Sequence, residues 1–295
     1  EGKRRVRIER VHLEEDTGKL LHEQDKSASY VDYNRAGTPL LEIVTRPDIQ
    51  TPAEAKIFLQ ELRLLMRYLG ISDADMEKGH LRCDANISLR PNPEYFVDKA
   101  KEASIGLDPK KLYSKTEIKN LNSFRSVERA LEYEIKRQTG LWDKDQAPTS
   151  LSTRGWDEKK SATVEQRIKE EQHDYRYFPE PDLPLMDFDK KFIDNIKTEM
   201  VELPHTKRDR FKDYFGLGDY DVNILVADKS LADFFEEVVS ELKAWLISLE
   251  EVEGSEQEIW EKHKKKLVKT VANWVISRLL SLLNKDNVNI KEAKI

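Results

Sequence analysis

The sequence is short of everything that marks an exported or membrane-bound chain. Among its 295 residues there is one cysteine, Cys83, which excludes an internal disulfide framework and fits a reducing, cytoplasmic compartment. The longest apolar run, Val271 to Leu283, is too short to span a bilayer and carries Arg278, so it reads as a core helix and no membrane is expected as partner. The first residues do not read as a signal peptide, so none is expected. An excess of positive charge is lacking too: 50 Lys and Arg stand against 56 Asp and Glu, a net charge of -6. A protein that grips nucleic acid by its overall field is usually basic, so local patches or metal ions must hold any polyanion, and DNA is not an expected partner. Neither a P-loop nor a GxGxxG pattern occurs, so a bound nucleotide would need another cradle. No Ser/His/Asp order or metal-spaced Cys/His set is present, which leaves nucleophilic hydrolysis and structural zinc without support.

What is present divides near residue 188. Over 1–188 strands alternate with helices. "RVRIERVHL" follows the strand period, and "SASYVDY", "PLLEIVT", "HLRCDANISLRP" and "KTEIKNL" read as further strands. "TSLSTRGWDEKKSATVEQRI" reads as a hairpin turning at "DEKKSA". The clearest helix starts at Thr51 as N-cap, with Pro52 at the first helical position and Glu54 closing a capping box, and stops at Gly70. Ser123 caps a second helix whose Val127, Ala130, Leu131 and Ile135 face inward. Residues 92–114 form a polar excursion with a small helix. "HDYRYFPEPDLP" (173–184) is extended, because its prolines forbid regular helix. From 189 to 295 the pattern is helical, with segments starting near Lys190, Pro204, Ser230 and Ser255, the last with Glu258 in a capping box.

Several constellations carry chemistry. Glu42 sits among leucines, isoleucine and valine in a short strand, where an isolated carboxylate is costly unless a cation or arginine meets it. It is a candidate ligand for a divalent cation, or else a solvent-facing strand residue. "HLEEDTGK" places Glu15 in an acidic cluster at a strand end, which is either a solvated turn or a partner for Glu42. In "LRCDANIS", alternation puts Arg82, Asp84 and Asn86 on one face and Cys83, Ala85 and Ile87 on the other. The polar trio suits the floor of a phosphate or metal pocket, or a half-exposed sheet face. Cys83, on the apolar side, reads as a structural thiol. Lys115, Glu117 and Lys119 share a face, followed by Asn120 and Asn122, and such Lys and Asn side chains contact phosphate oxygens or line an outer sheet face. In "KHKKKLVK", Lys264, Lys265 and Lys266 form a local basic patch: a solvated helix face, or a contact with an RNA backbone. Alternation in the 173–184 stretch sets Tyr175 apart from Arg176. Tyr175 stacks or hydrogen-bonds at a pocket, and Arg176 pairs with Asp174 or with phosphate.

Taken together, "HLEEDTGK", "VDYNRAGTPLLEIV", "RPDIQTPAEA", "LRCDANISLRP", "KTEIKNLNSF" and "HDYRYFPEPDLP" closely resemble GatB, the B subunit of bacterial aspartyl/glutamyl-tRNA(Asn/Gln) amidotransferase. The resemblance implies an α+β fold: a glutamine-synthetase-like cradle with an antiparallel sheet over 1–188, then a helical domain over 189–295 that begins the tRNA-binding region. It implies an ATP- and Mg²⁺-dependent ligase that phosphorylates the side-chain carboxylate of Glu-tRNA(Gln) or Asp-tRNA(Asn). Ammonia from the partner amidase subunit then displaces phosphate, and a further small subunit holds the heterotrimer together. Glu15 and Glu42 match metal-binding positions. Arg82, Asp84, Asn86, Lys119, Tyr175 and Arg176 are carried over to the nucleotide and acyl-phosphate, with Glu15, Glu42 and Arg176 as the catalytic set. The archaeal-type relative GatE shares the cradle but carries an inserted domain for which the chain leaves no room, and a non-catalytic tRNA-binding scaffold or a free-standing carboxylate–amine ligase remain alternatives. Departures from the pattern are Arg46 in place of an acidic residue, a long 92–114 excursion, and a chain that reads as truncated at both ends, lacking the first metal-binding strand and the tail domain, so that it is expected to be inactive alone.

Overall fold

Hydrogen bonds at Thr51 show how local signals place the first helix. The Glu54 amide donates to Thr51 Oγ1 at 3.2 Å, and Glu54 Oε2 accepts from the amides of Gln50 and Thr51 at 2.8 and 3.3 Å. With these orphan donors satisfied, α1 runs over Pro52–Tyr68, and Gly70, at φ 67, ends it. The computed structural model describes residues 4–22, 29–90, 112–144, 146–169, 181–182, 184–249 and 254–293. The expected helix within 92–111 and the extended stretch at 173–180, with Tyr175 and Arg176, lie outside them.

Two compact units emerge, one of Glu1–Phe58 with Cys83–Phe188, the other of Leu59–Arg82 with Asp189–Ile295. The helical unit is therefore not continuous in sequence, since it takes in most of α1.

In the first unit, β1 (Ile8–Glu15) pairs antiparallel with β4 (Pro39–Thr45), and β2 (Lys19–His22) with β3 (Ser29–Asp32). Gly37, at φ 76, donates its amide to the Asp16 carbonyl at 3.0 Å, fastening the turn before β4 to the end of β1. The main sheet has the order β5-β6-β7-β8, with β5 at Cys83–Ile87, β6 at Thr116–Leu121, β7 at Leu151–Asp157 and β8 at Ala162–Lys169. The expected α+β class holds, but the sheet is mixed and not antiparallel throughout. β6 and β7 run parallel, because α2 (Phe124–Trp142) carries the chain back across the sheet between them.

Ser123 caps α2, its Oγ accepting from the Ser126 amide at 3.0 Å. Val127, Ala130, Leu131, Glu134, Gln138 and Trp142 recur at helical spacing and are buried, while Ile135 is half-buried. Ile118, Leu121 and Trp156 are the buried apolar residues of β6 and β7. Among them sits Glu134, fully buried. Arg137 donates to it at 2.9 Å, Gln138 Nε2 at 3.0 Å and Thr163 Oγ1 at 2.9 Å, and the Arg154 guanidinium stands 3.8 Å away.

The second unit contains α3 (Lys190–Glu199), α4 (Pro204–Asp213), α5 (Asp219–Leu225), α6 (Lys229–Ile247), α7 (Glu256–Trp274), a π-helical turn (Val275–Leu279) and α8 (Leu280–Asp286). The capping box at Ser255 and Glu258 forms as the sequence indicates. Asp228, not Ser230, caps α6. The seven-residue α5 is too short to show a period. Phe211, Phe215 and Phe235 meet at centroid distances of 5.3 to 6.0 Å in the core. Tyr68, 2% exposed, donates its hydroxyl to the Val226 carbonyl at 2.9 Å. Burial, and then the nearby Asp233 and Asp228, push this phenol above its ordinary range, so it remains a donor. Tyr68→Phe should cost about 1–3 kcal/mol by orphaning that carbonyl. Thermal melting checks this, and an unchanged midpoint would show that the bond adds nothing.

Candidate functional site

The main sheet has two unlike faces. Pairing of Ala85 with Ile118, Asn86 with Glu117 and Lys119 with Gly155 fixes which side chains share a side. The face under α2 receives Ala85, Ile87, Thr116 and Ile118. The opposite face receives Asp84 and Asn86 from β5, Glu117 and Lys119 from β6, and Thr153 and Gly155 from β7, with Lys115 just before β6. Exposure follows the same alternation along β5: Asp84 and Asn86 are exposed, Cys83 and Ala85 half-buried, Ile87 buried, and Arg82, just before the strand, is exposed. The structure thus brings Asp84, Asn86 and Lys119 onto one face, while Arg82 precedes the strand and closes a segment of the other unit.

Lys119 is the hub of that face. Its ammonium donates to Asp84 Oδ2 at 2.7 Å and lies 3.4 Å from Glu117 Oε1. Glu117 in turn accepts from Thr153 Oγ1 at 3.1 Å. Burial pulls the Lys119 pKa down, but the hydrogen bond and charge of Asp84, with the charge of Glu117, outweigh it and hold the group above its ordinary value. It is a permanent cation, two-fifths exposed and aimed by two carboxylates.

Cys83 lies on the other side. Burial, then the neighbouring Asp84 charge, push its thiol up to about 12, so it stays a protonated, unreactive thiol, in line with the structural role expected of it.

Glu15 and Glu42 are not brought together. The register pairs His12 with Glu42 and Glu15 with Pro39, so residues of opposite parity face opposite sides of the β1–β4 ribbon. Glu42 shares its side with His12 and Glu14, and Glu15 shares its side with Leu13 and Val11. Among the described residues no group of three or more His, Cys, Asp or Glu side chains is placed to hold a metal ion.

The basic patch divides. Lys264 is 7% exposed, its ammonium 4.1 Å from the centroid of Tyr214 and 2.9 Å from Glu261 Oε1, so it is spent inside the helical unit and offers nothing to an RNA backbone. Lys265 and Lys266 remain exposed. Residues that sequence reasoning passed over are Thr153, Gly155 and Gln166, which reach the open face only through the β6–β7–β8 pairing. No helix among the described residues is long and apolar enough to cross a membrane.

This polar, cation-centred face on a mixed sheet belongs to a catalytic domain, for residues 1–194 match the family model described as the GatB/GatE catalytic domain. The chain is 42% identical over 299 residues to the B subunit of the aspartyl/glutamyl-tRNA(Asn/Gln) amidotransferase from Thermotoga maritima, covering 100% of this chain and 54% of that one. The proteins of the same name from Persephonella marina and Leptospira biflexa are 44% and 39% identical over 291 and 292 residues, which is 99% and 98% of this chain and 53% and 52% of theirs. The chain belongs to the GatB family, and it spans about half the length of the curated relatives it matches.

Proposed function

We propose that this chain supplies the phosphorylating face of a tRNA-dependent amidotransferase, a cytoplasmic ligase that converts Glu-tRNA(Gln) or Asp-tRNA(Asn) to the amide. Its partners would be the amidase subunit that releases ammonia and a small bracing subunit. ATP, carried with Mg²⁺, is the phosphoryl donor. A carboxylate is a poor acylating agent, so one carboxylate oxygen first attacks the γ-phosphorus and ADP leaves. Ammonia then adds to the acyl carbon and inorganic phosphate departs with the bonding pair. Such a transfer needs alignment and neutralised charge more than a covalent catalyst.

The observation that supports this is the gathering of Asp84, Asn86 and Lys119 on one open sheet face. Lys119 would neutralise phosphate oxygens, while Asp84 and Glu117 hold the ammonium in position. Glu42 and Glu15 face opposite sides of their ribbon, and none of these roles is assigned to them. GatB is preferred to GatE because relatives named as the amidotransferase's B subunit match at 39 to 44% over nearly the whole chain.

Assembled in full length with its amidase and small partners, the enzyme should form Gln-tRNA(Gln) or Asn-tRNA(Asn) only when ATP is present. Amide formation without ATP, or none from either misacylated tRNA, would refute the assignment.

A further inference from the structure

Asn120 departs from the strand it ends. At φ 63 it occupies the left-handed region, which glycine adopts freely and asparagine tolerates better than most other residues. Regular alternation would send its side chain towards α2. Instead its carboxamide lies above Gly155, which pairs with Lys119 and so belongs to the open face. A β-carbon on Gly155 would meet Asn120 Nδ2 at 2.9 Å and Gln166 Nε2 at 2.5 Å. Three strands therefore meet here: Asn120 from β6 and Gln166 from β8 reach over the bare backbone of Gly155 in β7, the residue paired with Lys119. Gly155 is buried because these two exposed carboxamides cover it. The left-handed turn and the missing side chain together place two neutral hydrogen-bonding groups on the face that carries Lys119.

We propose that Asn120 and Gln166 form a carboxamide pair that binds an oxyanion of the ligand facing Lys119. The oxygen belongs either to a nucleotide phosphate or to the carboxylate awaiting phosphorylation. Paired amide N–H donors supply directed hydrogen bonds where the flexible ammonium supplies charge, so the pair fixes the orientation of the oxyanion. This rests on the phosphoryl-transfer role proposed above, and it goes further by naming two ligand-contacting residues and the glycine that admits them.

The glycine makes the test clean. In Gly155→Ala the atoms nearest the new methyl are the ends of the Gln166 and Asn120 side chains, and the backbone is outside the left-handed region, so the carboxamides are expected to move and the sheet to stay. Asn120→Gly removes one carboxamide and keeps the left-handed turn without strain. Gln166→Ala removes the other. Equilibrium binding of ATP and of Glu-tRNA(Gln) to the assembled complex is measured for the wild type, for Gly155→Ala and for the Asn120→Gly/Gln166→Ala double variant, with thermal melting alongside. The expected result is an affinity about tenfold weaker for one ligand, in both variants, with melting unchanged. Weakened ATP identifies a phosphate oxygen, and weakened aminoacyl-tRNA identifies the carboxylate. Affinities for both ligands within about twofold of wild type would overturn the proposal. Amidation by the wild-type complex is scored separately, so failure of the phosphoryl-transfer role registers there and not in the binding comparison.

Discussion

Glu134→Ala should lose about 3–5 kcal/mol of stability, a large share of the roughly 5–15 kcal/mol that holds a domain folded. Glu134 is fully buried in the middle of α2, and it anchors the helix to the sheet beneath. Its carboxylate accepts from Gln138 on the same helix and from Thr163 on β8, and it faces the guanidiniums of Arg137 and Arg154. Arg154 is itself 13% exposed, so losing the acid leaves a largely desolvated cation facing a small cavity. Thr163 and Gln138 lose an acceptor at the same moment. Glu134→Gln, which keeps the shape and one acceptor oxygen, should cost less, about 1–3 kcal/mol. Urea unfolding read from the fluorescence of the buried Trp156 separates the two variants. Equal midpoints for wild type and Glu134→Ala would mean that the cluster carries no stability.

Lys119→Met should lower the rate of ATP-dependent amidation by about two to three orders of magnitude, the usual cost of removing one preorganised charge from a phosphoryl- or acyl-transfer site. The stability change should be small, because ion pairs of half-exposed groups are worth about 0–1 kcal/mol. Losing the ammonium also takes from Asp84 the cation 2.7 Å away, so that its carboxylate repels an incoming polyphosphate. The readout is kcat of the assembled complex beside a melting curve. A rate within about threefold of wild type would remove Lys119 from the site. A collapse of the melting temperature would mark it as a structural group.

What the sequence made legible was local. The capping boxes at Thr51 and Ser255, the Ser123 cap and the alternation through Asp84 and Asn86 all appear in the structure, because each depends on residues a few positions apart. Pairing register was not legible. Glu15 and Glu42 belong to different strands, and their relative face is a matter of parity that one residue of slippage would reverse. The parallel β6–β7 pair was hidden for the same reason. Lys264 looks solvated in "KHKKK", yet its burial depends on Tyr214, far earlier in the chain. Asn120 reads as one more polar residue until its backbone is seen to turn left-handed.

The discontinuity of the helical unit has a consequence for the order in which the protein is made. Tyr68 leaves the ribosome early, but its hydroxyl pairs with Val226, 158 positions later. Every residue of the main sheet is synthesised in between. The second half of α1 therefore emerges with a tyrosine that has nothing yet to bury it, and it must wait through the synthesis of Cys83–Phe188, the larger part of the other unit. Closing so long a loop is slow but adds little to its equilibrium cost, since closure entropy grows only as the logarithm of length. The sheet unit is free to fold during translation, whereas the helical core is completed only when the later helices arrive to enclose a segment that preceded them.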